Sequence, residues 1–287
     1  MPSAEIPPFD GKRAYEHLKR QVAFGPRNPN SRGARECLAW LAMTLRSSAD
    51  EVRLQEFTHQ GYGEMLRLTN VVASFRPEEK VRVLLLAHWD TRPRAEQDEN
   101  PARRGEPIAG ANDGASGVAV LLELAAMLKQ APPPVGVDIL LTDGEDYGYE
   151  GDLQNYFLGA RHFARTKPAG YNPRFGILLD MVGDTYLEIP REGYSERYAR
   201  DVNDLVWRTA AELGVSQFVQ SVGSLVDDDH LPLNEAGIKT IDLIDFDYPD
   251  PTNRYWHTHQ DTPDKCSPAS LEAVGRVVAT VIYRQRP

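Results

Sequence analysis

Hydrophobic residues recur along this chain with two different periods, and the alternation of these periods predicts the order of helices and strands. Apolar residues three and four positions apart, which are typical of amphipathic helices, mark five long segments. These segments are residues 10–24, 33–47, 116–130, 195–213 and 267–283. Two shorter helices are predicted over residues 159–165 and in the segment that ends at Ala236.

Strands are predicted between these helices. Some alternate between polar and apolar residues, and others are almost continuously apolar, which is typical of strands buried on both faces. The predicted strands are residues 51–57, 68–75, 81–87, 137–142, 175–182 and 239–244. Because strands alternate with helices, we expect an α/β fold with a mixed, mostly parallel twisted sheet and helices on both faces. No linker or repeat interrupts residues 1–287, so a single domain is predicted.

The charge of the chain limits its partners. A net charge of −10 argues against nucleic acid as a partner, because phosphate contacts need clustered Lys and Arg. No apolar run is long enough for a transmembrane helix. The first residues lack the basic and apolar regions of a secretory signal. The sequence therefore predicts a cytoplasmic protein, or a periplasmic or secreted one if a leader has been removed, and we expect a monomer.

The chain has two cysteines, Cys37 and Cys266. A disulfide framework is thereby excluded, although sequence alone leaves a single bridge between them open. The composition resembles that of ordinary intracellular proteins, in which thiols stay reduced, so free thiols are expected.

Histidine and carboxylate residues follow several of the predicted strands. His88 ends one apolar run, Glu145 and Asp146 follow the next, and Asp180 ends a third. In open α/β sheets, ligands bind beyond the carboxyl ends of the strands, so these side chains are expected to meet in one pocket. Imidazole nitrogens and carboxylate oxygens are also the ligands of catalytic zinc.

The order of these motifs resembles that of the zinc-dependent exopeptidase family, which contains aminopeptidases and animal-type glutaminyl cyclases. The resemblance covers roughly residue 24 to the C-terminus and is closest to the bacterial glutaminyl cyclase branch. The motifs that carry it are His88-Trp89-Asp90-Thr91-Arg92-Pro93, Gly110 to Gly117, Gly144-Glu145-Asp146-Tyr147-Gly148, Leu179 to Gly183, Asp228-Asp229-His230 and Trp256-His257-Thr258.

The resemblance implies that Asp113, Asp146 and His257 bind one Zn²⁺ ion. In the aminopeptidases of the family, the residues that correspond to His88 and Asp180 hold a second zinc. The residues themselves leave simpler interpretations open. Asp113 is suited to cap the helix predicted from Ser116, and His257 could be a surface histidine, although His259 fits that description better. Asp90 is placed to orient the ring of His88.

The resemblance also assigns a catalytic role to Glu145 as general acid and base, unless it belongs to a surface acidic turn. Burial among other carboxylates is expected to raise its pKa. In the cyclases, the residues that match Asp180 and Asp228 form an acidic network with this glutamate.

Two residues favour cyclization over hydrolysis. Aminopeptidases of the family have Ser at the position of Asp228, and usually Tyr at the position of Trp256. An indole at Trp256 would form an apolar wall that excludes water, although packing within its loop is the simpler interpretation. Animal cyclases carry a second Trp after the glutamate pair, where this chain has Tyr147 and Tyr149. Either a tyrosine takes the place of that Trp or the pocket is reshaped.

These observations predict a glutaminyl-peptide cyclotransferase. Its substrate would be a peptide or protein with an N-terminal Gln, which is converted to pyroglutamate with release of ammonia. The alternative enzyme is a zinc aminopeptidase with two metal ions. A binding protein on a degenerate peptidase scaffold is disfavoured, because every expected ligand and acid/base position is filled.

Overall fold

The structure is a computed structural model that describes residues 6–287. Its central sheet has six strands in the order β1-β2-β4-β3-β5-β8. The strands are β1 (Glu51–Gln60), β2 (Met65–Phe75), β3 (Arg82–His88), β4 (Gly136–Thr142), β5 (Gly176–Asp180) and β8 (Thr240–Ile244). β1, β2 and β4 pair antiparallel, whereas the β4–β3, β3–β5 and β5–β8 pairs are parallel. The predicted α/β class with a mixed, mostly parallel sheet is confirmed.

Helices cover both faces of this sheet. The α-helices are α1 (Gly11–Val22), α2 (Arg32–Arg46), α3 (Ala115–Gln130), α4 (Leu158–Thr166), α5 (Gly193–Tyr198), α6 (Arg200–Leu213), α7 (His230–Glu235) and α8 (Pro268–Tyr283). The larger core lies between the sheet and α1, α3 and α8, and it includes residues from almost every turn of α3. A smaller core on the other face includes Phe163 of α4 and Leu233 of α7.

Two local predictions were wrong. The helix predicted over residues 195–213 is divided into α5 and α6 at Ala199, whose φ of −144° is not helical. The side chain of Glu192 caps α5 by accepting hydrogen bonds from the amides of Tyr194 and Ser195. No Pro or Gly marks the break, so periodicity could not reveal it. A second, two-stranded sheet of β6 (Ile189–Arg191) and β7 (Phe218–Val222) was also missed.

The four parallel strands position the site, because their carboxyl ends lie at one edge of the sheet. Cys37 and Cys266 are both buried and free, as expected. Across residues 6–287, no helix combines the length and apolar character needed to cross a bilayer. The prediction of a single domain over residues 1–287 stays a prediction.

Candidate active site

The carboxyl ends of β3 and β5 bring two of the predicted site residues together. Nε2 of His88 lies 3.1 Å from Oδ1 of Asp180 and 3.1 Å from Oδ1 of Asp113, which lies two residues before the start of α3. All three residues are buried, and their ligand atoms are close enough to hold one metal ion. His88 and Asp180 are the two residues that the sequence resemblance matched to a second zinc position.

A second group of potential metal ligands shares Asp113 with the first. Nε2 of His257 lies 3.6 Å from Oδ2 of Asp113 and 3.3 Å from Oδ1 of Asp146. His257 and Asp146 are also buried. The two oxygens of Asp113 therefore face different histidines, and the carboxylate lies between two candidate metal positions.

The second group fits a zinc ion well. Zinc bonds of about 2.0–2.2 Å in tetrahedral geometry place neighbouring ligand atoms roughly 3.3–3.6 Å apart. The distances from His257 to Asp113 and Asp146 have these values. Oδ2 of Asp146 is buried and has no hydrogen-bond partner within the described chain, although Arg92 donates to Oδ1 at 2.6 Å. A buried carboxylate oxygen without a donor is suited to a cation.

Two other buried aspartates hold the backbone of the ligand-bearing turns. Asp90 accepts hydrogen bonds from the amides of Glu145 at 3.1 Å and Asp146 at 3.3 Å. Asp261 accepts hydrogen bonds from the amides of Asn112 at 2.8 Å and Asp113 at 3.2 Å. Each carboxylate fixes a turn that belongs to a distant part of the chain, so both preorganise the candidate ligands.

The role of Asp90 differs in part from its prediction, and Asp261 was not predicted at all. Nδ1 of His88 lies 3.5 Å from Oδ1 of Asp90, whereas the hydrogen bonds of Asp90 go to the backbone. Asp261 lies in an irregular loop, where the sequence offers no periodic signal. Its position four residues after His257 is the one clue that sequence reasoning could have used.

The turn at Asp113 needs a small neighbour. A Cβ atom on Gly114 would lie 2.6 Å from the carbonyl oxygen of His88, so only glycine lets this backbone pass so close. Gly114, rather than Asp113, is the residue that precedes α3, and no side chain caps the helix. The capping interpretation of Asp113 is therefore wrong.

Three carboxylates, those of Glu145, Asp180 and Asp228, line one small cavity of about 100 Å³ beside the candidate metal ligands. Burial raises the pKa of Glu145 well above its usual range, and the charges of Asp146 and Asp228 raise it further against the effect of His88. Burial also raises the pKa of Asp228, and the charge of Asp180 adds to this. Burial and the neighbouring negative charges therefore favour the protonated forms of Glu145 and Asp228.

Aromatic side chains form the apolar part of the cavity. Trp256 stacks on the ring of His257 with a centroid distance of 3.6 Å and meets Phe246 edge to face at 5.3 Å. Tyr156 and Phe157 also line the cavity. Trp256 therefore forms one wall of the cavity. Its packing against His257 and Phe246 is compatible with this role.

The structure also places Tyr147, Tyr149 and His259, whose roles the sequence had left open. Tyr147 packs against Leu158 in a separate small core, and Tyr149 is exposed beneath the guanidinium of Arg94. Neither tyrosine is among the residues that line the cavity, so this arrangement favours a reshaped pocket over a tyrosine in place of the second Trp. His259 is not a surface histidine, because its Nδ1 lies 2.8 Å from Oδ2 of Asp98 and the ring is mostly buried.

Comparison with known proteins agrees with this fold. Residues 70–282 match peptidase family M28, and the chain belongs to this family. It is similar to the glutaminyl cyclase of Bacteroides thetaiotaomicron solved with N-acetylhistamine, with 42% identity, a TM-score of 0.94 and coverage of 98% of this chain and 100% of that chain.

Two further relatives indicate the range of activities in the family. A leucine aminopeptidase precursor from Bacteroides thetaiotaomicron also shares 42% identity, with a TM-score of 0.94 and coverage of 99% of this chain and 100% of that chain. The glutaminyl-peptide cyclotransferase-like protein of Bos taurus is 25% identical over 89% of this chain and 71% of its own length. The family therefore includes structural neighbours named for both candidate activities.

Proposed function

We propose that this protein is a glutaminyl-peptide cyclotransferase, which converts the N-terminal Gln of a peptide or protein to pyroglutamate. The observation that carries the proposal is the carboxylate of Asp228, which lines the same small cavity as Glu145 and Asp180. The family's aminopeptidases have Ser at this position. Mass spectrometry of a Gln-peptide after incubation with the purified protein tests the proposal, because cyclization removes one ammonia and leaves every residue in place.

Cyclization forms a bond between the α-amine nitrogen and the γ-carboxamide carbon of the same glutamine residue. Glu145 removes a proton from the α-amine, whose nitrogen attacks the carbon of the γ-carboxamide. Glu145 then returns this proton to the departing nitrogen as the carbon–nitrogen bond of the carboxamide breaks, and ammonia leaves. The raised pKa of Glu145 suits a group that takes and returns a proton near neutral pH.

Asp180 and Asp228 act on the amine and on Glu145. Their carboxylates line the cavity beside Glu145, where they orient the attacking amine, and the charge of Asp228 also raises the pKa of Glu145. Trp256 and Phe246 cover the apolar stem of the glutamine and exclude water, which would otherwise compete with the amine.

The metal in this proposal is one Zn²⁺ ion held by Asp113, Asp146 and His257. Zinc supplies a Lewis acid that polarises the carbonyl of the γ-carboxamide. The other candidate position is less suitable, because His88 and Asp180 are already joined by a hydrogen bond of 3.1 Å. This distance is shorter than the roughly 3.3–3.6 Å expected between neighbouring zinc ligands.

The zinc content of the protein is therefore expected to be one ion per chain. Elemental analysis after dialysis measures it. Asp113→Ala is expected to lose the ion, because it removes one of three ligands, whereas Asp180→Ala is expected to keep it. Two tightly held zinc ions, one of them lost from Asp180→Ala, would instead support an aminopeptidase.

Trp256→Ala is expected to weaken substrate binding by about 1.5–3 kcal/mol, because it removes a large apolar wall from the cavity. This corresponds to a roughly 10- to 150-fold rise in KM, measured by ammonia release from a Gln-peptide. Trp40→Ala is the matched control, since Trp40 is also partly buried but packs against Phe24, away from the cavity. An equal rise in KM for both variants would refute a specific role for Trp256.

The second candidate function is a zinc aminopeptidase. The observation that favours it is the second group of three buried ligands, His88, Asp113 and Asp180, which shares Asp113 with the first group. In that case Glu145 would activate water instead of the substrate's amine. The products differ, because hydrolysis shortens the peptide by one residue.

A further inference from the structure

The lining of the proposed catalytic cavity is acidic. Six of the residues that line the cavity carry a carboxylate, and no lysine or arginine of the described chain is among the lining residues. Five of the six are the candidate metal ligands and catalytic groups. The sixth, Asp227, is exposed to solvent at the mouth.

A second, smaller cavity of about 90 Å³ adjoins the first. The two cavities share Val226, Ile244 and Phe246, which form an apolar ridge between them. The second cavity is lined by another exposed carboxylate, that of Asp247, and again by no lysine or arginine of residues 6–287. An apolar ridge thus lies between two solvent-exposed acidic side chains.

We propose that the substrate chain leaves the catalytic cavity across this ridge, and that Asp227 and Asp247 select peptides with Lys or Arg directly after the N-terminal Gln. The inference rests on the proposed function. A lysine or arginine has a long aliphatic stem that can pack along Val226 and Phe246 while its charged end stays in water. Asp227 lines the catalytic cavity and Asp247 lines the adjoining one, so an exposed carboxylate is available on each side of the ridge.

The two aspartates act by charge. An acidic residue after Gln would instead meet carboxylates of the same sign, with no cation of the described cavity lining to balance them. Because Asp227 and Asp247 face solvent, the effect is expected to be modest and to weaken as salt is added.

The test compares kcat/KM for three peptides that differ only in the residue after Gln, which is Lys, Ala or Glu. The parent protein is expected to prefer Lys to Glu by about fivefold or more at low ionic strength, and Asp227→Asn is expected to reduce this ratio about two- to fivefold. The double variant Asp227→Asn with Asp247→Asn is expected to reduce it further. Glu235→Gln is the matched control, since Glu235 is exposed and lines neither cavity.

The outcomes separate this inference from the proposed function. If the parent cyclizes none of the three peptides, the proposed function is wrong. If it cyclizes all three with the same kcat/KM, or if Asp227→Asn and Glu235→Gln change the Lys-to-Glu ratio equally, the selection by Asp227 is wrong while cyclization stands. If high salt abolishes the preference for Lys over Glu in the parent, and the double variant shows no such salt dependence, the result supports direct pairing of the substrate's Lys with Asp227 and Asp247.

Discussion

Glu145→Gln is expected to lower the turnover of a Gln-peptide by about 10²–10⁴-fold, because an amide cannot take a proton from the attacking amine or return it to the leaving ammonia. The side chain keeps its size and its place in the cavity. The amides of Glu145 and Asp146 still donate to Asp90, so the turn that holds Asp146 stays formed. The variant is therefore expected to fold and to bind zinc as the parent does.

Glu150→Gln is the control for this variant. Glu150 lies in the same loop but is exposed and does not line the cavity. The activity of the Glu150→Gln variant is therefore expected to match that of the parent. The measurements are initial rates of ammonia release and zinc content for both variants. A Glu145→Gln protein that retains zinc and works within threefold of the parent would remove Glu145 from the mechanism.

Asp228→Ser is expected to reduce cyclization sharply while zinc content stays unchanged. Asp228 is not one of the candidate zinc ligands, but its carboxylate lines the cavity with Glu145 and Asp180. The substitution introduces the residue that the family's aminopeptidases have at this position. Initial rates on a Gln-peptide measure the loss, and unfolding curves show whether the variant is folded.

The same variant should move the pH dependence of the rate. The charge of Asp228 contributes to the raised pKa of Glu145, so its removal lowers that pKa. Because Glu145 must be deprotonated to act as a base, the acidic limb of the pH–rate profile is expected to move to lower pH. A purely structural role would reduce activity without this shift. Parental cyclization rates in Asp228→Ser would show that the third carboxylate is dispensable.

Much of the site was predictable because long apolar runs in the sequence show where buried strands end. The apolar run before His88 and the one before Asp180 are long enough to identify two parallel strands, whose carboxyl ends must share one edge of the sheet. Once this edge of the sheet was identified from the sequence, the turn with Glu145 and Asp146 could be predicted to lie beside it. The structure brings these residues together with Asp113 and His257 around one small cavity.

The rest of the site depends on contacts that a linear pattern does not contain. Asp261 meets the amides of Asn112 and Asp113 across 148 and more positions of the chain, and nothing in its own loop indicates this. The tyrosines at 147 and 149 follow the catalytic turn directly, yet Tyr147 packs in a separate small core and Tyr149 lies against Arg94. Sequence proximity to a catalytic residue was a poor guide there.

The central claim is that the site cyclizes N-terminal glutamine instead of hydrolysing peptide bonds. The most direct test incubates the purified, zinc-containing protein separately with a Gln-peptide and with leucine anilide, and measures ammonia from the first and free aniline from the second. The proposed mechanism predicts ammonia, a pyroglutamyl product and no release of aniline above background. Release of aniline from leucine anilide without ammonia from the Gln-peptide would contradict it and identify the protein as an aminopeptidase.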